Sequence, residues 1–446
     1  MTTSRYFLSR GLTAAVLLFA FAPSAYCQWN EYRKPPPLLF DLTAIPQVPK
    51  SYLDVHGSSW IDSGKIDQKR VETYKLLQAS TDLIGAKKYP EALAKLQELD
   101  GMADKTAEET FTMERMRVSI ASQSGDDALL VKSLEAVIAL GKLPPEEQST
   151  FMQVLANRYY QQKNYPKSIT WSLRYLNEGG KDATVRTQVV YAYYANKDYA
   201  KAAQELRSSI ASDEAAGHKP TEQQLRLLAS CMLKLQDAPG YLATIEKFVV
   251  YYPKDEHWAE LFNHVTTNPN FTNLLTLDIY RLMLATNLLK NEGEFIEMSQ
   301  LAMQNGYPGE AKRILMQGYK SGVLGKGPDL AMHKNLLNSA TDRLARKLKT
   351  IGSEEASFIK NKDGTGLVEI GYFYVAEGQF ERGIGLIEKG IQLGARQSDH
   401  AKLLLGIANA LAGHKDSAIQ AFKTVQGTDG TADLARYWVL HLSSAA

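Results

Sequence analysis

From about residue 71 onward, apolar side chains recur three or four positions apart, in stretches of roughly a dozen residues rich in Ala, Leu, Lys, Glu and Gln. No period-two alternation is sustained beyond a few residues, so the pattern predicts helices and not strands. Short polar segments punctuate it: Lys87-Lys88-Tyr89-Pro90, Lys163-Asn164-Tyr165-Pro166, Asn196-Lys197-Asp198-Tyr199, Glu377-Gly378-Gln379-Phe380 and Ala412-Gly413-His414-Lys415. Each lies between two apolar-periodic segments, which predicts pairs of antiparallel helices joined by tight turns.

The turns repeat. Tyr165 and Tyr199 are 34 residues apart, and Phe380 and Lys415 are 35 apart. Three positions beyond the turn residue stands a small side chain each time: Ala92, Ser168, Ala202, Gly383 and Ala418. Two helices approach closely only where small residues face the partner, and Gly371 and Gly406 offer the same from the first helix. Leu96, Leu206, Ile387 and Phe422, four residues further on, are placed to fill the space against the next unit.

A period of about 34 residues with two helices per unit resembles the tetratricopeptide repeat family. The best-matching stretches are 70–100, 149–182, 183–216, 364–397 and 399–430, with weaker ones at 110–141, 221–254 and 271–305. The resemblance implies an all-α fold, an α-solenoid of tetratricopeptide-like helical hairpins. Gly306, Gly309, Gly318, Gly322, Gly325 and Gly327, with Pro308 and Pro328, predict an irregular middle section. The expected organisation is a secretory signal peptide at 1–27, a Pro-rich extended N-terminal arm at 28–70 and an N-terminal repeat array at 71–255. A divergent helical section at 256–350 and a C-terminal repeat pair at 351–446 follow.

The first segment changes the picture of charge and location. Arg5 and Arg10 precede an uncharged apolar run, Gly11 to Ala22, and then Pro23, Ser24, Ala25 and Cys27. Basic start, short apolar run and small residues form a secretory signal, too short for a comfortable membrane span. The expected location is periplasmic. An outer-membrane lipoprotein modified at Cys27 is the alternative, and Tyr26 immediately before the cysteine speaks against it. Removing 1–27 takes two of the 51 basic residues and no acid, leaving 49 bases against 49 acids. With no net charge and no basic block, a nucleic-acid partner is not expected. No later stretch reaches spanning length, so membrane association after signal cleavage is at most weak. Pro35, Pro36, Pro37, Pro46 and Pro49 block helix and favour an extended arm.

No constellation predicts catalysis, a metal or a cofactor. His257, Glu260 and His264 share one helical face, but lack the ligand count of a zinc site and any HExxH pairing. Gly318-Tyr319-Lys320-Ser321-Gly322 lacks the order of a phosphate loop and reads as helix-ending glycines. Asp363-Gly364-Thr365-Gly366 lacks the ladder of a calcium loop and reads as an N-cap. Cys231 sits in an apolar helical face, which predicts an inert buried thiol.

The family resemblance implies that the first helix of each pair lines a concave groove. Counting from the turns places Gln153, Asn157 and Tyr160, then Gln188, Tyr191 and Tyr194, then Glu369 and Tyr372 on that face. Tyrosine gives a rigid contact at small entropic cost, and amides can bond a peptide backbone. The neighbouring register, Tyr159, Tyr193 and Tyr374, packs between helices, and a one-residue slip exchanges the two sets. Tetratricopeptide domains that grip acidic chaperone tails resemble one another in a basic-and-asparagine clamp. Here Asn157 occupies one such place, but Tyr191 and Gln153 replace the next asparagine and the lysine. The expected function is a periplasmic protein-binding scaffold or adaptor for other proteins or peptides of the cell envelope, in its assembly or maintenance. The rival is a helical-toroid enzyme, a lyase or hydrolase acting on cell-wall or polysaccharide material. That rival requires Tyr, His, Glu or Arg converging in a cleft.

Overall fold

The structure, a computed structural model, describes residues 68–444. The expected signal peptide and nearly all of the proline-rich arm lie outside the described residues. Among those residues there are 20 α-helices, one 3-10 helix and no strand. Seven helix pairs pack as consecutive antiparallel hairpins: α1 (Gln68–Gly85) with α2 (Tyr89–Asp100), α3 (Ala107–Ser124) with α4 (Asp127–Ala139), α5 (Pro145–Gln161) with α6 (Tyr165–Asn177) and α7 (Ala183–Ala195) with α8 (Tyr199–Ala215) head the chain. Helices α9 (Glu222–Leu235), α10 (Ala238–Tyr251), α11 (Asp255–Thr266) and α12 (Thr276–Ala285) lead to the hairpin of α13 (Glu292–Gln304) and α14 (Pro308–Lys320). After α15 (Leu330–Asn361), α16 (Gly364–Ala376) pairs with α17 (Phe380–Gln392) and α18 (Ser398–Leu411) with α19 (Lys415–Lys423); α20 (Thr431–Ser444) is last.

The hairpins share one turn. In α5–α6 the Asn164 amide donates to the Tyr159 carbonyl and the Lys163 amide to the Tyr160 carbonyl, closing the Schellman pattern around a left-handed residue. The same two bonds recur at Lys87, Lys197, Gln236, Gly306, Gly378 and Gly413, so every turn read from the sequence is one of these. The small residues do what their spacing implied. Ala92, Ala202 and Ala418 are fully buried, as is Ser168, whose hydroxyl donates to the Ala156 carbonyl at 2.8 Å. Between α16 and α17, a Cβ on Gly383 would lie 2.5 Å from the Gly371 carbonyl oxygen, a separation only paired glycines permit. Leu96, Leu206, Ile387 and Phe422 are buried beside them.

The chain divides into two compact units. Among the described residues, one holds 68–218 together with Ser230–Asp237; the other holds Lys219–Ala229 and 238–444. In the N-terminal unit the core runs from hairpin to hairpin. Leu77, Leu96 and Leu99 of the first pack on Met113, Met116 and Ile120 of the second, and Leu134 and Val137 join Phe151, Leu155 and Tyr159 of the next stretch. A cation stands over the packing tyrosine in two of these hairpins: Lys167 over Tyr159 at 4.7 Å and Lys201 over Tyr193 at 5.6 Å.

The C-terminal unit brings its ends together. Helix α20 packs on α10, α11 and α12 as well as on α18 and α19. Arg436 bonds Glu246 at 2.7 Å, and the Asn268 amide donates to the Thr428 carbonyl at 3.2 Å. The irregular middle expected from its glycines contains α15, a helix of 32 residues of which only His333, Ala340 and Ile351 are buried. Arg382 stands 4.1 Å over Tyr374, the packing tyrosine of α16, repeating the N-terminal device.

Candidate functional site

Among the expected groove residues, the structure gathers the tyrosines of the N-terminal unit into a strip. Tyr160, near the end of α5, meets Tyr165 edge to face with centroids 5.6 Å apart. One repeat later Tyr194 meets Tyr199 in the same way at 5.2 Å. Both pairs flank the Schellman turn, which sets the last residues of one helix beside the first of the next, and all four rings are half-buried. Burial, then the neighbouring Tyr165 and Tyr191, push the Tyr160 hydroxyl up to about 12, so it stays a neutral donor. Tyr194 shares a 2.7 Å hydrogen bond with Ser230, and the half-exposed Gln153 amide donates to Asp182 at 3.0 Å.

Other expected groove residues are turned inward. Asn157 and Gln188 are buried, Gln188 at 0% exposure with its amide against Ser168, and both act in helix packing. Tyr191 is nearly covered at 8%. Tyr372 is not a groove residue at all: it is 1% exposed and lies flat against Arg281, whose guanidinium carbon is 4.1 Å from its ring centre. Glu369, on the same helix, is exposed. The inward turn has a physical cause: helices this tightly stacked bury more than one stripe each, so a position one turn from the groove edge falls into the next interface.

Tyr372 leads to a site that the sequence reading did not single out. Arg281 on α12 bonds both oxygens of Glu310 on α14, at 2.8 and 2.6 Å, and Asp278 one turn earlier at 2.6 Å. The second Asp278 oxygen bonds His400 Nε2 on α18 at 2.8 Å. Burial by itself would raise the Asp278 carboxyl; the charges of His400 and Arg281 outweigh it and hold the group below its ordinary range. Against an ionised carboxylate, the facing nitrogen of His400 carries the proton. Burial also opposes charge on Arg281, and the adjacent Glu310 and Tyr372 more than restore it. A pocket of about 110 Å³ opens beside this cluster, lined among others by Leu277, Asp278, Tyr307, Glu369, Arg396 and His400. Burial and the charge of Asp363 raise the Glu369 carboxyl. A signal existed: Asp278 and Arg281 stand three apart in Leu274-Leu275-Thr276-Leu277-Asp278-Ile279-Tyr280-Arg281-Leu282-Met283, a helix apolar on all sides. Charges there cannot reach water and must meet partners from elsewhere.

The residues weighed for other chemistry have structural roles. Cys231 is buried, and burial pushes its thiol up to about 12, far from thiolate reactivity. Asp363 caps α16 by accepting from the Gly366 amide at 3.1 Å, and Ser321 ends α14 with Gly322 left-handed behind it. His257 is buried against Phe248, with Nδ1 2.9 Å from the Tyr252 carbonyl oxygen, whereas His264 is exposed near Asp433.

No family model and no curated protein matches the chain. Among solved structures it is similar to the TPR2AB-domain–pHSP90 complex of yeast Sti1, at 11% identity over 68% of this chain and 100% of that one, with a TM-score of 0.22. It is also similar to Naa15/Naa10 bound to HypK-THB, at 13% identity over 80% of this chain and 64% of that one, again with a TM-score of 0.22. Likenesses that weak add nothing on function. The hairpins themselves, with their common turn and paired small residues, make this an array of tetratricopeptide-like units.

Proposed function

We propose that the protein is an exported, protein-binding scaffold that holds partner proteins or peptides of the cell envelope along the tyrosine strip of its N-terminal unit. One observation carries the reading: half-buried, edge-to-face tyrosine pairs, Tyr160–Tyr165 and Tyr194–Tyr199, recur at one repeat's interval on consecutive hairpins. Ring faces held this way offer apolar area with little entropy left to lose, and their hydroxyls can bond an extended backbone. Export and a periplasmic location rest on Arg5, Arg10 and the apolar run that follows them. Mass spectrometry of the mature N-terminus tests that part, because a chain beginning at Gln28 has been cleaved and carries no lipid on Cys27.

For the strip, Tyr165→Ala combined with Tyr199→Ala is expected to cut the yield of crosslinked partner from the native envelope at least tenfold, with helicity and melting nearly unchanged. Equal yield from the double variant would sink the assignment. A second reading, an enzyme acting on cell-wall or polysaccharide material, draws on the Asp278–His400 pair beside a pocket. It ranks second because Asp278, Arg281 and Glu310 are spent on one another.

A further inference from the structure

We propose that the pocket beside the Asp278–Arg281 cluster binds a short aliphatic monocarboxylate. Its lining is mixed in chemistry. Leu277, Val368 and Leu404 are buried apolar side chains, and Tyr307, His400 and Arg396 bring polar groups. Within the cluster, charge is already answered: Arg281 is bonded to Glu310 and Asp278, and the remaining Asp278 oxygen to His400. Arg396 is the exception. Its backbone amide donates to Thr365 Oγ1 at 3.0 Å, pinning the chain at the pocket wall, while its guanidinium makes no ion pair or hydrogen bond among the described residues. A guanidinium offers a planar fork of donors that matches the two oxygens of a carboxylate. Helix α18 begins two residues later with no side-chain cap, adding partial positive charge at the same end.

The remaining lining decides which anion. Asp278 and Glu369 face the same pocket, so a doubly charged phosphate would set its second charge against two carboxylates. A single negative charge answers Arg396 at a smaller penalty. The apolar side chains of the lining then take an alkyl chain. At roughly 10–15 Å³ of such space for each water-sized group, the volume admits a short chain and not a long-chain fatty acid.

Calorimetric titration of the full-length protein with butyrate, acetate, butanamide and inorganic phosphate tests the assignment. Saturable butyrate binding is expected, about tenfold tighter than acetate because of the two additional methylenes. Butanamide, which has the same shape and no charge, should bind at least tenfold more weakly than butyrate. Arg396→Gln should lower butyrate affinity about tenfold or more, and Lys389→Gln, a change at an exposed lysine outside the lining, should leave it as in the wild type. Both positions are exposed, and unchanged helicity and melting check that each variant is folded. Absence of saturable butyrate binding, phosphate binding tighter than butyrate, or wild-type affinity in a folded Arg396→Gln would each overturn the proposal. Partner capture by the tyrosine strip is a separate readout, so failure of one leaves the other standing.

Discussion

Arg281 shows how much one side chain can hold in place. Carboxylates from α12 and α14 and tyrosine rings from the α13–α14 turn and α16 converge on its guanidinium, and Asp278 passes the connection on to His400 of α18. Removing one partner of a buried ionic set leaves an uncompensated charge, which costs about 3–5 kcal/mol. Asp278→Asn is therefore expected to lower unfolding free energy by about that amount at pH 7, measured by urea denaturation. The pH dependence has a definite sign. The folded carboxyl is held below its unfolded value of about 3.9, so its stabilisation is complete above that pH. It is lost as the pH falls through the unfolded value toward the lower folded one. The wild type should lose stability across that acid window, and Asp278→Asn should show a shallower loss there; equal slopes would remove Asp278 from the account. Tyr191, nearly covered, should destabilise the fold when cut to Ala, so that variant does not report on partner binding alone.

Within an element, the same substitution can act in opposite directions two residues apart. In α17, a Cβ at Gly383 would press to 2.5 Å from both the Gly371 carbonyl oxygen and a Val375 methyl, but nothing lies within 4 Å of one at Gly385. Gly383→Ala is expected to cost about 1–3 kcal/mol through overpacking. Gly385→Ala should gain up to about 1 kcal/mol from helix propensity. Thermal melting of the two variants measures both, and a neutral Gly383→Ala would show that α16 and α17 separate easily. The turn residues, the small side chains and the bulky fillers were all legible in the sequence, because hairpin geometry is local and its period repeats. Exposure of Tyr372, Gln188 and Asn157 was not, because a helix in a stack has neighbours on two or three sides and the period does not say which interface a given stripe enters.

On the scale of the C-terminal unit, α20 lies against helices that precede it by more than a hundred residues. Leu434 is fully buried in that helix. Leu434→Ala, a cavity-forming change of about 2–5 kcal/mol, should speed hydrogen exchange in α10, α11 and α12 as well as in α18 to α20. Acceleration confined to α20 would mean that the helix frays without loosening the unit.

The chain alone determined what depends on spacing: helices, their pairing, the turns between them and the small residues that let them touch. These follow from a 3.6-residue turn and a 34-residue period, which are properties of neighbours in sequence. Tertiary structure decided which tyrosines keep a free face, that α20 returns to α10, and that Asp278, Arg281, Glu310 and His400 meet. That meeting joins residues as much as 122 positions apart, and no local periodicity encodes a contact of that range.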